Sequence, residues 1–251
     1  MSVLIALFIF SAGFFGGAVN AIAGGGTFLT FGALTIIGIP PIIANTTSSL
    51  TQLPGYVASA WAYGKEISKI WRQALLLAVA SIIGATLGAT ILLAMESSSF
   101  RALVPWLLLA ATVLFGAGPW LKPKPGTRNG SRRRSAVPAL LTQLATSIYG
   151  GFFGAGMGVM MLATLGLTQE GDYHRLNALK NLLSVIIAAI AIAIFVAGGA
   201  IAWLHALIMF PAVALGGFAG VWVAKRLPET VVRATVVVIG LLLTAYYLWL
   251  E

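Results

Sequence analysis

Cysteine is absent from this chain of 251 residues, which excludes disulfides, thiolate metal sites and thiol-relay chemistry. Histidine occurs only at His174 and His205, and the two lie in no spacing that builds a metal site. Neither a GxSxG elbow nor an HExxH pair is present, so intramembrane hydrolysis has no visible catalytic set. Acidic residues number six, and Glu96, Glu170, Asp172, Glu229 and Glu251 all fall in expected loops or ends. No acid lies inside an apolar run, so a carboxylate proton relay or sodium site is not evident. The expectation is a non-enzyme without cofactor or metal.

Charge itself is the largest deficit. Only 8% of residues are charged, against 59% hydrophobic, with mean hydropathy +0.99. A water-facing surface cannot be made from so few charges, and the solvent that fits is lipid. In lipid every backbone amide needs a partner within the protein, which leaves helices or closed barrels. The apolar runs are about 20 residues long without period-2 alternation, so they read as helices. Residues 3–22 lack a basic leader and a small-x-small cleavage site, and therefore read as a span and not as a signal peptide. The net charge of +9 would suggest nucleic acid in a soluble protein. In a membrane protein it marks cytoplasmic loops, and no nucleic-acid partner is expected.

Hydropathy predicts helices near 3–22, 25–38, 43–63, 70–95 and 101–121, then 136–153, 156–168, 173–197, 201–225 and 230–250. Of these, 25–38 and 156–168 are too short to span comfortably. Between the two sets lies KPKPGTRNGSRRRS, residues 122–135, whose Pro, Gly and basic residues read as a solvated loop. The halves repeat. Trp71 to Thr112 lies over Trp203 to Thr244 without gaps, matching Trp71 with Trp203, Gly84 and Gly88 with Gly216 and Gly220, Arg101 with Arg233, and Thr112 with Thr244. The same shift puts Asn45 on Asn177, and Gly13-Phe14-Phe15-Gly16 answers Gly151-Phe152-Phe153-Gly154.

Lys and Arg set the orientation. If the two short segments turn back as halves of re-entrant hairpins, every Lys and Arg except Arg101 falls on the side of the 122–135 loop. That side is then cytoplasmic, and both termini are outside. The fold class expected is an all-α integral membrane protein of two inverted repeats, each a re-entrant or broken helical hairpin plus three transmembrane helices. Its units are 1–121, the loop 122–135, and 136–251. A threading in which the short segments cross gives parallel repeats and a worse charge count.

Two polar regions interrupt the apolar sequence. Asn20, followed by Gly24, Gly25, Gly26 and Thr27, places an amide, a helix-breaking glycine run and a hydroxyl together. Backbone N–H groups at a new helix start favour an anion, while close helix packing is the competing explanation for glycine. Gly154 and Gly156 stand in the equivalent place of the second half. For Gly84xxxGly88 and Gly216xxxGly220, packing is the reading. The second region is Asn45-Thr46-Thr47-Ser48-Ser49 with Thr51 and Gln52, whose partner is Asn177-Ala178-Leu179-Lys180-Asn181. Such side chains are costly in a membrane unless they face a cavity or each other. Lys180 either snorkels to the interface or neutralises an anion. Asn20 to Thr27, Gly154 to Gly158, Asn45 to Gln52 and Asn177 to Asn181 are expected to meet near the midplane, with Asn45 and Asn177 placed symmetrically.

With those residues in hand, the chain resembles the TauE/SafE family of sulfite and organosulfonate exporters, also called the toluene-sulfonate uptake permease family. The likeness lies in Gly13-Phe14-Phe15-Gly16-Gly17, Gly24-Gly25-Gly26-Thr27, Gly38-Ile39-Pro40 and Ala44-Asn45-Thr46-Thr47-Ser48, and recurs more weakly from Gly150 to Gly158. The second half departs from the pattern at Gly154-Ala155-Gly156 and at Ala178-Leu179-Lys180. The resemblance implies a multi-pass protein of the bacterial inner membrane whose partners are the bilayer and a small anionic substrate. Sulfite or an organosulfonate would cross by alternating access between the repeats. A membrane scaffold or accessory subunit without transport is the reading from another class. Whether the chain forms a homo-oligomer is left open.

Overall fold

A computed structural model describes residues 2–23, 25–117, 120, 136–169, 173–224 and 229–249. The 122–135 loop and Gly24 lie outside the described residues. Ten helices are described: α1 Val3–Ala23, α2 Gly26–Ile36, α3 Pro41–Ala62, α4 Gly64–Ala94, α5 Ser97–Gly116, α6 Ala136–Phe152, α7 Met157–Thr168, α8 Tyr173–Ala197, α9 Trp203–Ala224 and α10 Glu229–Trp249. No strand occurs among the described residues. Four stretches are long and apolar enough to cross a membrane, Val3–Asn20, Ala74–Ala94, Ser97–Gly116 and Arg175–Ala197.

The surface is apolar, and a set of polar groups is buried within the apolar core. Thr27, Thr30, Asn45, Thr46, Thr47, Ser48, Thr51 and Gln52 are buried, whereas Leu75, Val79, Ile83, Leu87 and Ile91 run exposed along α4. In water that arrangement would be untenable, since exposed apolar area costs about 25 cal/mol per Å². In lipid it is the required one. At 31 residues α4 is longer than the hydrocarbon core needs, so its first turns, carrying exposed Lys65, Lys69 and Arg72, project from it. Ile67 and Ile70 pack inward there, and Arg72 lies 5.4 Å over the exposed Trp71 ring. Predicting α4 from residue 70 missed the turn with Lys65 and Lys69 because its charges read as a loop.

Glycine brings the helices close. A Cβ on Gly216 would lie 1.8 Å from the Phe14 carbonyl, and one on Gly17 2.1 Å from that of Val213, so α1 and α9 touch backbone to backbone. The α4–α6 crossing repeats this, with Gly88 meeting the Ile148 carbonyl at 2.1 Å and Gly151 that of Ala85 at 2.5 Å. These are the small-residue contacts that membrane helices use in place of a hydrophobic driving force. The helix contacts come in matching sets: α1 with α9 and α6 with α4, α3 with α9 and α8 with α4, α1 with α2 and α6 with α7.

Two further pairs, α3 with α8 and α5 with α10, are antiparallel. Thr46 near the start of α3 donates to the Ala200 carbonyl beyond the end of α8, while Asn177 near the start of α8 bonds Tyr63 beyond the end of α3. Gly240 of α10 meets Thr112 of α5, while Val237, one turn earlier in α10, lies beside Gly116, one turn later in α5. The short α2, about 16 Å long, turns back on α1. A Cβ on Gly26 would fall 2.1 Å from the Gly16 carbonyl, and one on Gly16 2.9 Å from Thr30.

The suggested match of Gly13–Gly16 with Gly151–Gly154 does not describe equivalent places. The first set lies mid-helix in α1, whereas the second straddles the end of α6, where Gly154 is left-handed at φ 77°. Gly13 and Gly151 both sit in helix crossings, but Gly16 packs against α2 within the hairpin whereas Gly154 serves chain reversal.

Gly216→Ala and Gly88→Ala should each destabilise the protein, by about 1–3 kcal/mol or more for overpacking against backbone. Gly64→Ala, where nothing lies within 4 Å, should be neutral. Thermal unfolding in detergent reads the contrast, and equal melting temperatures for all three variants would refute the packing account.

Candidate functional site

The polar face of α3 follows the helix period. Asn45, Ser49, Gln52 and Tyr56 sit at i, i+4, i+7 and i+11, which places them on one side of the helix. Pro54 interrupts the backbone ladder in the same stretch. Ser49, Gln52 and Tyr56 open on a narrow cavity of about 20 Å³, room for about one water, closed by Thr27 of α2, by Gly150 and Gly154 at the α6 end, by Met157 of α7, and by Ile187, Ala188 and Ala191 of α8. Both halves of the chain therefore supply its walls.

The lining is neutral. Thr27 and Tyr56 both face the cavity, and Ser49 donates to the Asn45 carbonyl at 2.9 Å. Gln52 is 1% exposed, its amide nitrogen lies 3.4 Å from the Thr30 hydroxyl, and its carbonyl oxygen has no partner. Thr30 and Ser48 close to 2.5 Å. An orphaned buried amide oxygen costs about 1–3 kcal/mol, which water or a ligand donor would recover.

The wall between α6 and α7 is anchored from several sides. Phe153 is buried and packs edge-on against Phe31 at 5.7 Å, with Phe100 and Tyr149 each 6.4 Å away. Tyr149 donates to the Ala155 carbonyl at 2.6 Å, and the Asn45 amide donates to that of Phe152 at 2.9 Å. Gly154 and Gly156, both left-handed, let the chain reverse there without a Cβ penalty.

Of the residues expected from sequence, Thr27, Ser49, Gln52 and Gly154 meet at this cavity. Asn45 stands beside it with its amide committed to Phe152 and its carbonyl oxygen unpartnered. Asn20 lies between Gly26 and Gly55, its amide nitrogen 3.3 Å from where a Gly55 Cβ would be. Gly25 and Gly26 are filled by protein: a Cβ on Gly25 would strike Val236 at 2.6 Å and Phe115 at 3.0 Å. Close packing thus accounts for these two, and Gly24 is outside the described residues.

Thr46, with Thr47, staples α3 to the α8–α9 connection, since Thr46 donates to Ala200 and Thr47 accepts from the Ala202 amide at 3.0 Å. Gly156 backs onto Ala111 of α5, and Asn181 is buried on α8. Asn177 is not brought to Asn45. It donates to the Tyr63 hydroxyl at 3.0 Å, at the far end of α3, some 18 residues or about 27 Å along that helix. Lys180 packs by Gly158, away from the cavity lining. Tyr56 was missed although the 45–49–52–56 spacing marks it. Ile187, Ala188 and Ala191 are apolar and carried no signal.

A bundle of lipid-facing helices that buries polar groups and a cavity walled by both halves defines a multi-pass membrane protein of the helical, inner-membrane type. Residues 9–247 match the family described as Sulfite exporter TauE/SafE, and the chain belongs to that family. It is 26% identical to a "Probable membrane transporter protein" of Haemophilus influenzae, over 94% of this chain and 92% of that one. Identity to the "Probable membrane transporter protein ORF9" of a Sinorhizobium species is 31%, over 87% and 81%. With the "Probable membrane transporter protein YfcA" of Escherichia coli K12 it is 24%, over 96% and 88%.

Asn45→Ala would strip the Phe152 carbonyl of its side-chain donor where α6 ends, at a cost of about 1–3 kcal/mol. Asn177→Ala, at a residue that is itself only half-buried where Asn45 is 1% exposed, should cost about 0.5–1.5 kcal/mol. Thermal unfolding should rank them in that order, and the reverse order would show that the α6–α7 wall does not depend on Asn45.

Proposed function

We propose that this protein is a secondary transporter of a small anion, sulfite or an organosulfonate, working by alternating access between two inverted repeats, 1–121 and 136–251, joined by a cytoplasmic loop. The observation that carries the proposal is the neutral cavity where α3 and α8 run antiparallel, with Thr27, Ser49, Gln52 and Tyr56 set in an otherwise apolar wall. Helices that correspond under the sequence repeat and pack antiparallel support a two-fold axis in the membrane plane, the plan of many secondary carriers. The matching helix contacts support the same axis. Three relatives carrying the words "membrane transporter" in their descriptions support transport over scaffolding.

Neutral donors suit the cargo. A sulfonate or sulfite spreads its charge over three weakly basic oxygens, and a carrier must release what it binds, so hydroxyls and amides serve better than a fixed cation at the centre. Thr27, Ser49, Gln52 and Tyr56 are the groups we assign to the anion's oxygens. A cavity with room for about one water is closed around its site, and a larger substrate enters when one half rocks against the other.

Purified protein in liposomes tests this directly. Labelled sulfite or sulfoacetate should cross above the empty-vesicle rate under a proton or potential gradient, and Gln52→Leu should lower apparent affinity by about 1–3 kcal/mol. Failure of sulfite, sulfoacetate and taurine alike would remove the transport reading.

A further inference from the structure

Lys180 has no part in the cavity lining, yet it stands inside the apolar stretch Arg175–Ala197. No described residue pairs with it. Its stem lies on the first turn of α7, with Cδ 3.9 Å from where a Gly158 Cβ would be. That turn starts at Met157 after left-handed Gly156 and carries the positive end of the helix dipole, with the Met157 N–H bonded to the Gly154 carbonyl and the Val159 and Met160 N–H groups to that of Gly156. A cation and a positive helix end thus share one place in a low dielectric, an arrangement that an anion would stabilise.

The next turn on the same face of α8 holds Ser184, 1% exposed, whose hydroxyl has no partner. The turn after that brings Ile187 and Ala188, which wall the cavity. Positions 180, 184 and 188 therefore lead from the α8 start into the site. That start lies at the end of the molecule where Asn177 meets Tyr63, next to the exposed Lys65 and Lys69.

The other half has no such charge. The shift that pairs Asn45 with Asn177 pairs Ser48 with Lys180, and Ser48 is neutral, buried and already bonded to Thr30. Toward the start of α3 this position carries a neutral hydroxyl, where toward the start of α8 it carries a cation.

We propose that Lys180 makes the two faces of the transporter unequal, binding the anion as a waiting site between α8 and the α7 N-terminus on the Lys65/Lys69 face and holding it more tightly there than on the opposite face. This rests on the transport reading above. Its test is the ratio of half-saturation constants for labelled sulfite measured from each face, in right-side-out and inside-out vesicles containing the full chain. The Lys180 face should show a value lower on the order of tenfold, the effect of about 1.4 kcal/mol. Lys180→Ser should bring the ratio toward one, and Lys180→Arg should preserve it.

An equal ratio in the parent protein, or an unchanged ratio in Lys180→Ser, overturns the inference while leaving transport standing. Loss of transport in both variants would assign Lys180 a structural role and overturn it as well. Absence of sulfite flux in the parent instead removes the transport reading, and this inference with it.

Discussion

Placing Asn45, Ser48, Ser49, Thr51 and Gln52 on one helix of a lipid-embedded chain is costly wherever those groups meet hydrocarbon, so the rest of the bundle is arranged to cover α3. The α1–α2 hairpin closes over it with Thr27 and Thr30. The antiparallel α8 lies along it, and the α8–α9 connection is stapled to its start through Thr46 and Thr47. What remains uncovered is a small volume beside Gln52 with an orphaned amide oxygen. In this setting burying polar groups and making a cavity are the same act.

Glycine sets how closely that cover can approach. The α1–α9 and α4–α6 crossings bring backbones into contact at Gly17, Gly216, Gly88 and Gly151, and Gly26 lets α2 fold tightly onto α1. Reversal at Gly154 and Gly156 is a separate use, tied to left-handed backbone and held by Phe153 and Tyr149. Small residues therefore supply both the rigid crossings and the break that walls the site.

Helices were legible in the sequence because lipid demands long apolar runs, and the ten expected segments correspond to the ten described helices. The basic first turn of α4 was not, since Lys65 and Lys69 look like a loop until Ile67 is seen packing on the other side. Thr27, Ser49 and Gln52 were legible as polar groups in apolar surroundings, and Gly154 as part of a helix-breaking glycine run. The pairing of Asn45 with Asn177 was not, for a geometric reason. Antiparallel helices meet at their middles, so residues near their starts end up at opposite ends, and the mid-helix pair Gln52 and Ser184, each with an orphaned polar atom, has the better claim to centrality. Nor can sequence separate glycines that admit a ligand from those filled by a neighbour, as Gly25 is by Val236 and Phe115.

Because the chain contains no cysteine, a single Ser49→Cys substitution reports on the cavity without background. The rate of modification by a membrane-impermeant methanethiosulfonate should be measurable from either face, in right-side-out and in inside-out vesicles, and sulfoacetate should slow it from both. Labelling from both faces with that protection is the expected result of a site that opens alternately to each side. Labelling from one face only, or from neither, would contradict a transport path through the α3–α8 crossing.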